Sequence, residues 1–217
     1  MHDHHNPPSD EKSWDEFYQS RDTLWSGNAN PQLVTEISTL PPRTALDAGC
    51  GEGGDAIWLA QRGWQVTGMD FAQTALRRAA DNAVKADPEL ANRIAWTQAD
   101  LTSWRPSQRF DLVTSHFMHL PTNLREPVFA ALAAAVAPGG TLLIVGHHPS
   151  DMHAAIGRPD LPDWYFTAED IADSLDPGQW NVLVAESRSR KFTRDDEEFD
   201  IADTVLRAER KPTPEKT

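Results

Sequence analysis

Short apolar runs alternate with longer amphipathic stretches along this chain, and that alternation restricts the fold more than any other feature. The apolar runs at 44–48, 65–70 and 93–100 are typical of buried strands, whereas 72–86 repeats its apolar residues at helical spacing. Strands that alternate with helices form a parallel sheet whose crossover connections are right-handed. We therefore predict an α/β fold built on a doubly wound, mostly parallel sheet.

The second half of the chain continues this pattern. Helices are predicted at 123–137, where a Pro-Gly-Gly triplet at 138–140 ends the helix, and at 167–176. The basic cluster "SRSRKFTR" at 187–194 is followed at once by the acidic "DDEEFD", and we interpret this charged stretch as a solvated loop. Across that turn, a seventh strand would pair antiparallel with the sixth. The remaining predicted strands lie at 110–117, 141–148, 179–187 and 200–210.

The length of 217 residues suits one α/β domain, because two domains would each have a small core. Two amphipathic helices at 13–21 and 31–40 precede the first strand and have no place in the sheet order. We therefore expect them to cap the end of the sheet at which a ligand binds. The predicted boundaries are a disordered N-terminus at 1–12, a helical cap at 13–42 within a single domain at 13–210, and a disordered tail at 211–217.

The charge of the chain restricts its partners. Twenty basic and 33 acidic residues give a formal net charge of −13, which repels nucleic acids and anionic membranes. No apolar run reaches the length of a transmembrane helix. The N-terminal segment lacks the apolar core of an export signal and Cys50 is the single cysteine, so we predict a cytoplasmic protein. A small-molecule acceptor is favoured over a polyanion, and no pattern favours one oligomeric state.

The stretch "LDAGCGEGG" at 46–54 follows the first predicted strand and opens a helix, and its glycines fit two kinds of ligand loop. Gly49, Gly51 and Gly54 have the spacing that places a dinucleotide pyrophosphate at a helix N-terminus. Gly49, Gly51 and Gly53 form an alternate-glycine loop that suits a nucleoside without phosphate. A third interpretation is a tight structural turn that binds no ligand.

Acidic residues near this loop favour the nucleoside. Asp47 lies two residues before the first glycine and Glu52 lies inside the loop, so both would repel a pyrophosphate and attract a cationic group. Asp70 ends the second strand, where its carboxylate can accept both hydroxyls of a ribose in either kind of cofactor. Asp100 ends the third strand, where its carboxylate can accept a hydrogen bond from an adenine amino group. Alternatively, it only caps the next helix. These residues predict a ligand with an adenosine end, no phosphate and a cationic amino-acid end.

Five motifs follow one another along the chain: "LDAGCGEGG", "TGMD" with Phe71 after it, "QADL", "FDLVTSHFMHL" and "APGGTLLI". Together, over residues 13–186, they resemble the class I S-adenosylmethionine-dependent methyltransferases. The segment "WDEFYQSRDTLWSGNANPQL" also resembles the N-terminal cap of the thiopurine and tellurite methyltransferase subgroup. The resemblance implies a Rossmann-like methyltransferase fold of seven strands with an N-terminal helical cap. It also implies methyl transfer from S-adenosyl-L-methionine to a small molecule, with S-adenosyl-L-homocysteine as product.

The resemblance implies roles for individual residues. Asp47 lies near the methionine amino group, Asp70 binds the ribose, and Asp100 with Leu101 binds adenine. Trp25 in the cap would cover the cofactor, because a sulfonium beside an aromatic face is favourable. Where base-modifying methyltransferases carry an Asn-Pro-Pro-Tyr signature, "SHFM" follows the fourth strand, so a nucleic-acid base is not the expected acceptor. The predicted cofactor-binding residues are Trp25, Asp47, Gly49, Gly51, Asp70, Phe71, Asp100, Leu101 and Ser115.

Four histidines follow the fourth and fifth predicted strands, at the edge where ligands of parallel sheets bind. As catalytic residues, they could remove the proton of an O–H, N–H or S–H acceptor, because histidine titrates near neutral pH. The alternatives are a metal site, for which no known ligand spacing is present, and polar loop residues without a catalytic role. The four candidates are His116, His119, His147 and His148.

Two other functions share these features. A nicotinamide-dependent oxidoreductase has the same fold, but it would have to place a pyrophosphate beside Asp47 and Glu52. A non-catalytic protein would bind the cofactor and transfer nothing. We predict a methyltransferase that needs no bound metal.

Overall fold

The computed structural model describes residues 10–21, 23–118, 120–152, 161–194 and 197–213. Within these ranges, no helix combines the length and the apolar character needed to cross a membrane. The strands are β1 Thr44–Ala48, β2 Gln65–Asp70, β3 Ile94–Gln98, β4 Phe110–His116, β5 Val136–His147, β6 Trp180–Arg194 and β7 Glu197–Arg210. The α-helices are α1 Glu11–Gln19, α2 Pro31–Ile37, α3 Gly54–Gln61, α4 Gln73–Ala86, α5 Pro88–Ala91, α6 Thr122–Ala134 and α7 Ala168–Ser174.

The seven strands form one sheet in the order β3-β2-β1-β4-β5-β7-β6. The first five in that order pair in parallel, whereas β7 runs antiparallel to both β5 and β6. The predicted α/β fold, with a mostly parallel sheet of seven strands, is confirmed. The strand order reverses between β1 and β4, and ligands of such sheets bind beyond the carboxyl ends of the strands at this reversal.

Helices cover both faces of the sheet. Ala45 of β1 packs in an apolar cluster with α2 and α3, whereas Leu46, the next residue, packs in the cluster that contains α6 and α7. Successive residues of a strand point to opposite faces, so β1 is buried between two layers of helices. Trp96 of β3 is partly buried over Gly68, where a Cβ atom would lie 2.5 Å from the indole.

The fifth strand begins earlier than predicted. We expected the Pro-Gly-Gly triplet at 138–140 to separate a helix from a strand, but β5 already begins at Val136. Phe110 of β4 pairs with Val136, whereas Leu112, two residues later, pairs with Thr141. The triplet therefore bulges out of the ladder, and its first glycine adopts a φ of 76° to do so.

The prediction of a solvated loop at 187–194 is wrong, because these residues continue β6 and pair with the start of β7. Basic side chains lie opposite acidic ones on the two strands, and Nζ of Lys191 lies 2.9 Å from the carboxylate of Asp200. Opposite charges across a strand pair stabilise the ladder. The result is an extended hairpin, residues 188–194 and 197–203, that continues the sheet beyond the carboxyl end of β5.

The cap helices form where they were predicted, with small shifts at their ends. Asp10 caps α1 and so starts it at Glu11, inside the segment that we expected to be disordered. Asp15 accepts a hydrogen bond from the N–H of Thr74 at 2.8 Å, which holds α1 on α4. In the predicted tail, Lys211 donates its N–H to a carbonyl that precedes β6. The rest of the two predicted tails, 1–9 and 214–217, lies outside the described residues.

Candidate functional site

The glycine loop, residues 49–53, connects β1 to α3 beyond the carboxyl end of the sheet. Three of its glycines have positive φ angles: 76° at Gly49, 52° at Gly51 and 85° at Gly53. Side chains disfavour this left-handed conformation, so the backbone requires glycine at these alternate positions. Gly54, which completes the dinucleotide spacing, is the first residue of α3. The loop geometry therefore favours the alternate-glycine interpretation.

Asp70 connects the end of β2 to the glycine loop. Its Oδ2 accepts the N–H of Gly51 and its Oδ1 accepts the N–H of Ala72, both at 2.9 Å. Burial raises the pKa of Asp70, although these backbone hydrogen bonds oppose the shift. The carboxylate is thus fixed at the strand end where the sequence predicted a ribose contact.

Asp47, at the end of β1, has a buried carboxylate, one oxygen of which accepts no hydrogen bond among the described residues. The residue is 2% exposed, and its Oδ2 has no hydrogen-bond partner in the described part of the chain. Burial, together with the charge of Asp55, raises the pKa of Asp47 from its ordinary value of 3.8 to about 8, and His116 opposes this shift. A buried polar atom without a partner costs free energy, so Oδ2 is suited to accept a hydrogen bond from a cationic group.

His116, at the end of β4, lies between two partners. Its Nδ1 is 2.6 Å from Oδ2 of Asp55, and its Nε2 is 2.8 Å from Oγ1 of Thr114. Burial lowers the pKa of His116, but the charge and hydrogen bond of Asp55 outweigh burial and raise it above the ordinary value. Oδ1 of Asp55 accepts the N–H of Asn30 at 2.6 Å, so Asp55 also connects this site to the cap.

Asp47, Asp55 and His116 form one cluster, because each offers an oxygen or nitrogen within 4.8 Å of the others. Such a set could also bind a metal ion, which was one of the open interpretations of the histidines. Asp55 was not predicted as a site residue, because an acid in the first turn of a helix usually indicates only a favourable interaction with the helix N-terminus.

We expect His116 to remain protonated at a pH where an ordinary histidine is neutral. Asp55→Asn should lower its pKa, because the amide removes the neighbouring negative charge. The interaction of His116 with Asp55 stabilises the fold fully at pH values below the ordinary histidine pKa. This stabilisation is lost as the pH rises through the raised pKa of His116. NMR titration of the imidazole measures the pKa of His116. Glu16→Ala, on the exposed face of α1, is the control and should leave that pKa unchanged. An unchanged titration in Asp55→Asn would contradict the assignment.

The other predicted histidines have separate surroundings. The ring of His147 stacks on Phe117, with centroids 4.5 Å apart. Nδ1 of His148 accepts the N–H of Ser150 at 3.2 Å and so caps a 3-10 turn, as the polar-loop interpretation expects. His119 lies outside the described residues.

Glu52 joins the glycine loop to the cap. Its side chain is 4% exposed and lies 2.9 Å from Arg78 of α4 in an ion pair. Its Oε2 accepts the N–H groups of Leu24 at 3.2 Å and Trp25 at 3.1 Å. This corrects the sequence interpretation of Glu52 as an attraction for a cationic ligand, because Arg78 supplies the cation.

Trp25 lies beside the glycine loop. Its Nε1–H donates to Oη of Tyr18 at 3.2 Å, and a Cβ atom at Gly51 would lie 3.3 Å from the indole nitrogen. The residue is 48% exposed. The cap therefore presents an aromatic side chain at the position where the sequence predicted a cover for the cofactor.

The predicted adenine contacts follow β3. Asp100 is exposed, and its Oδ1 accepts the N–H of Thr102 at 2.8 Å, so it caps its own turn. Leu101 is partly buried against the apolar cluster under α6 and α7. Asp100 therefore caps a turn, whereas the structural alternative was a helix cap, and the adenine contacts of Asp100 and Leu101 stay predictions.

Two further predicted cofactor residues have structural contacts. Ser115 is buried and donates its hydroxyl to the carbonyl of Ala48 at 2.9 Å, which joins the ends of β4 and β1. Phe71 packs against the small apolar cluster beneath the cap, and Nε2 of Gln98 donates to its carbonyl at 3.0 Å. Both residues lie at the carboxyl edge of the sheet.

Comparison with known proteins decides the family. A sequence model of the methyltransferase domain matches residues 45–140, from β1 to the start of β5. The 2-heptyl-1-hydroxyquinolin-4(1H)-one methyltransferase of Mycobacteroides abscessus is 31% identical over 162 residues, which cover 68% of this chain and 70% of that protein. The chain belongs to the class I S-adenosylmethionine-dependent methyltransferases. The family predicted from the motifs is confirmed, and S-adenosylmethionine is its cofactor.

Two plant relatives have a lower sequence identity to this chain. Thiocyanate methyltransferase 1 from Arabidopsis thaliana is 27% identical over 147 residues, and its counterpart from Brassica oleracea is 28% identical over 167 residues. The alignments cover 65% and 75% of this chain. The chain spans between 64% and 72% of the length of these three curated relatives.

Solved structures share the fold at lower identity. The N-methyltransferase NodS from Bradyrhizobium japonicum, in complex with S-adenosylhomocysteine, has a TM-score of 0.67 and 18% identity, over 94% of this chain and 100% of that chain. TehB from Haemophilus influenzae has a TM-score of 0.65 and 18% identity, over 93% of this chain and 66% of that chain. These similarities confirm the Rossmann-like methyltransferase fold.

The residues of the site fit S-adenosylmethionine. Asp47 offers a buried, unpartnered oxygen to a cationic amino group, and Asp70 holds a buried carboxylate at the end of β2. The pyrophosphate of a nicotinamide dinucleotide would instead meet the buried carboxylate of Asp47. The oxidoreductase alternative is therefore disfavoured.

Proposed function

We propose that this methyltransferase acts on a small molecule, which receives the methyl group at sulfur, oxygen or nitrogen, or at a metalloid. The observation that carries the cofactor side of the proposal is the buried, unpartnered Oδ2 of Asp47 at the carboxyl end of β1, which suits a cationic amino group. The names of relatives support a small acceptor, since they specify thiocyanate and a hydroxyquinolinone. A net charge of −13 disfavours nucleic acid and anionic membranes as partners, and we expect the protein in the cytoplasm.

When bound, S-adenosylmethionine would supply an activated methyl group: an acceptor lone pair would form a bond to the methyl carbon in line with the breaking C–S bond, whose electron pair would stay on the sulfur of S-adenosylhomocysteine. Asp47 accepts a hydrogen bond from the amino group of the cofactor. Asp70 accepts hydrogen bonds from the ribose hydroxyls. The hydrogen bonds that it accepts from the N–H groups of Gly51 and Ala72 keep its carboxylate in place. Gly49 and Gly51 let the backbone approach the cofactor closely, because they carry no side chain.

Residues around the adenosine complete the proposed site. Trp25 covers the cofactor and excludes water, which strengthens the electrostatic contacts inside. Phe71 and Leu101 contact the adenine, and the exposed carboxylate of Asp100 accepts from its amino group. Ser115 acts indirectly, because its hydrogen bond to β1 sets the position of the strand end.

On the acceptor side, we propose a role for one described histidine. His147 is partly buried beside Phe117 and can orient an acceptor or take its proton. His116 positions the Asp47 cluster instead, since both of its ring nitrogens are engaged. An acceptor that is already anionic would need no base, and the protein would then only align it with the methyl group.

Calorimetry tests the cofactor assignment. We expect S-adenosylmethionine and S-adenosylhomocysteine to bind the full chain, and NAD to show no heat. Incubation with thiocyanate, benzenethiol and an N-hydroxyquinolinone, followed by mass spectrometry, tests methyl transfer to a small acceptor. A folded protein that binds neither adenosyl compound would refute the proposal. Binding without transfer to any acceptor in the panel would favour the non-catalytic alternative.

A further inference from the structure

Phe117, the residue after β4, has an unusual backbone conformation. Its φ of 52° makes it the one non-glycine residue with a positive φ among those described. Left-handed conformations of such residues are unfavourable and concentrate at ligand sites. The conformation is held by the Phe117 N–H, which donates to the carbonyl of Val145 at 2.8 Å, and by the stacking of the ring on His147. The aromatic ring is therefore fixed at the carboxyl edge of the central strands.

The position of Phe117 is close to the reacting end of the proposed cofactor site. It directly follows His116, which lies in one cluster with Asp47, the residue proposed to bind the amino group of the cofactor. The methyl group to be transferred belongs to the same amino-acid end of the cofactor. An acceptor must therefore bind near the segment that contains Phe117.

Arg190, on the extended hairpin, reaches the same place. The centre of its guanidinium lies 5.9 Å from the centroid of the Phe117 ring. Its Nε donates to Oδ2 of Asp203 at 2.7 Å, and its side chain is 29% exposed. Within the described ranges this is its one hydrogen bond, so the two Nη groups remain able to donate. A lysine ammonium is a point charge whose donors all lie on one atom, whereas the planar guanidinium separates the Nε–H that Asp203 accepts from the two Nη groups.

The side of Arg190 away from the ring is held by a buried polar network. Asp203 is fully buried, and its Oδ2 also accepts from Nε2 of Gln32 at 3.2 Å. Oε1 of Gln32 accepts from Arg188 at 3.1 Å, and Arg188 pairs with Glu36 at 2.6 Å. The network joins the cap helix α2 to the extended hairpin, so it restricts the guanidinium of Arg190 to one orientation.

We propose that Arg190 and Phe117 form the acceptor subsite of this enzyme. The acceptor is a small anion with a planar or polarisable body, which pairs with the Nη groups of Arg190 and packs on the Phe117 ring. This inference rests on the proposed function. A chain of net charge −13 repels small anions in general, so a local cation with available donors is needed to bind one. Arg190 meets that need at the edge of the sheet where the acceptor binds.

Binding to the full protein saturated with S-adenosylhomocysteine tests this subsite. The probes are 4-nitrophenolate, at a pH where the phenol is ionised, and the neutral 4-nitroaniline of similar shape. We expect the wild type to prefer the phenolate. Arg190→Met should lose about 10-fold or more of the phenolate affinity, as expected for a charge-assisted hydrogen bond, and keep its affinity for nitroaniline. Lys191→Met, one residue along the hairpin, removes the same charge and should leave both affinities unchanged.

Two results would overturn the subsite. One is a wild type that binds the phenolate no more tightly than the nitroaniline, or binds neither. The other is an Arg190→Met variant that prefers the phenolate as strongly as the wild type does. If Arg190→Met fails to fold because Asp203 loses its partner, the double variant Arg190→Met with Asp203→Asn removes both charges and must show the same loss. S-adenosylhomocysteine should bind the wild type and the variants equally. Failure of the wild type to bind it would instead refute the proposed function.

Discussion

Asp47→Asn is expected to weaken the binding of S-adenosylhomocysteine by about 30-fold or more, because losing one partner of a buried charged hydrogen bond costs about 2–5 kcal/mol. The amide has nearly the same shape as the carboxylate, so the variant should fold. In the wild type, affinity should rise as the pH increases through about 8, because the carboxylate that binds the cofactor amino group must be ionised. Calorimetry across this pH range measures both effects.

The same substitution should increase the stability of the protein without ligand. Because the folded-state pKa of Asp47 is raised from 3.8 to about 8, the contribution of this residue to stability is fully present below the lower value. It is lost as the pH rises through the higher one, where the buried carboxylate must ionise. The neutral side chain of Asp47→Asn has no such loss of stability. The difference in melting temperature between this variant and the wild type should therefore grow towards alkaline pH.

Asp111→Asn provides the matched control, because Asp111 bonds Thr44 at the opposite end of β1. This variant should bind S-adenosylhomocysteine as the wild type does. Equal cofactor affinity in Asp47→Asn and the wild type would remove Asp47 from the site. A wild-type stability that does not fall between neutral and alkaline pH relative to Asp47→Asn would contradict the raised pKa.

Glu52→Ala should detach the cap from the glycine loop and lower the free energy of unfolding by about 3 kcal/mol, because the change removes one member of a buried ion pair. Arg78 would lose its partner, and the N–H groups of Leu24 and Trp25 would lose their acceptor. Chemical denaturation measures the stability. Trypsin cleavage at the exposed Arg21 should become faster, and saturating S-adenosylhomocysteine should slow it again.

Glu16→Ala is the control for this prediction. Glu16 pairs with Lys12 at 3.7 Å on the exposed surface of α1, and such pairs contribute about 0–1 kcal/mol. Its stability and its trypsin cleavage should match those of the wild type. If Glu52→Ala behaved like Glu16→Ala, the contacts of Glu52 would not be what holds the cap.

The residues of each local segment were enough to predict most of the fold. β1 and β2 have the predicted bounds, and α4 differs from its prediction by one residue. Apolar periodicity reports which face of a segment is buried, and this information lies within a few neighbouring residues. The bulge near Val136 was not predicted because it depends on pairing with β4, which lies elsewhere in the chain. The extended hairpin was missed although its arms are adjacent in sequence, because the charges that pair across the two strands also fit a solvated loop.

For the site, the sequence identified the family, the glycine loop and the acids at the strand ends, because these residues are close together along the chain and their types suit one cofactor. Their individual cofactor contacts remain predictions. Tertiary structure decided the partners: Asp55 beside His116, Arg78 beside Glu52, and Arg190 over Phe117. Charge and hydrogen-bond energies depend on distances of a few ångströms between residues that are tens of positions apart, and only the folded chain sets those distances.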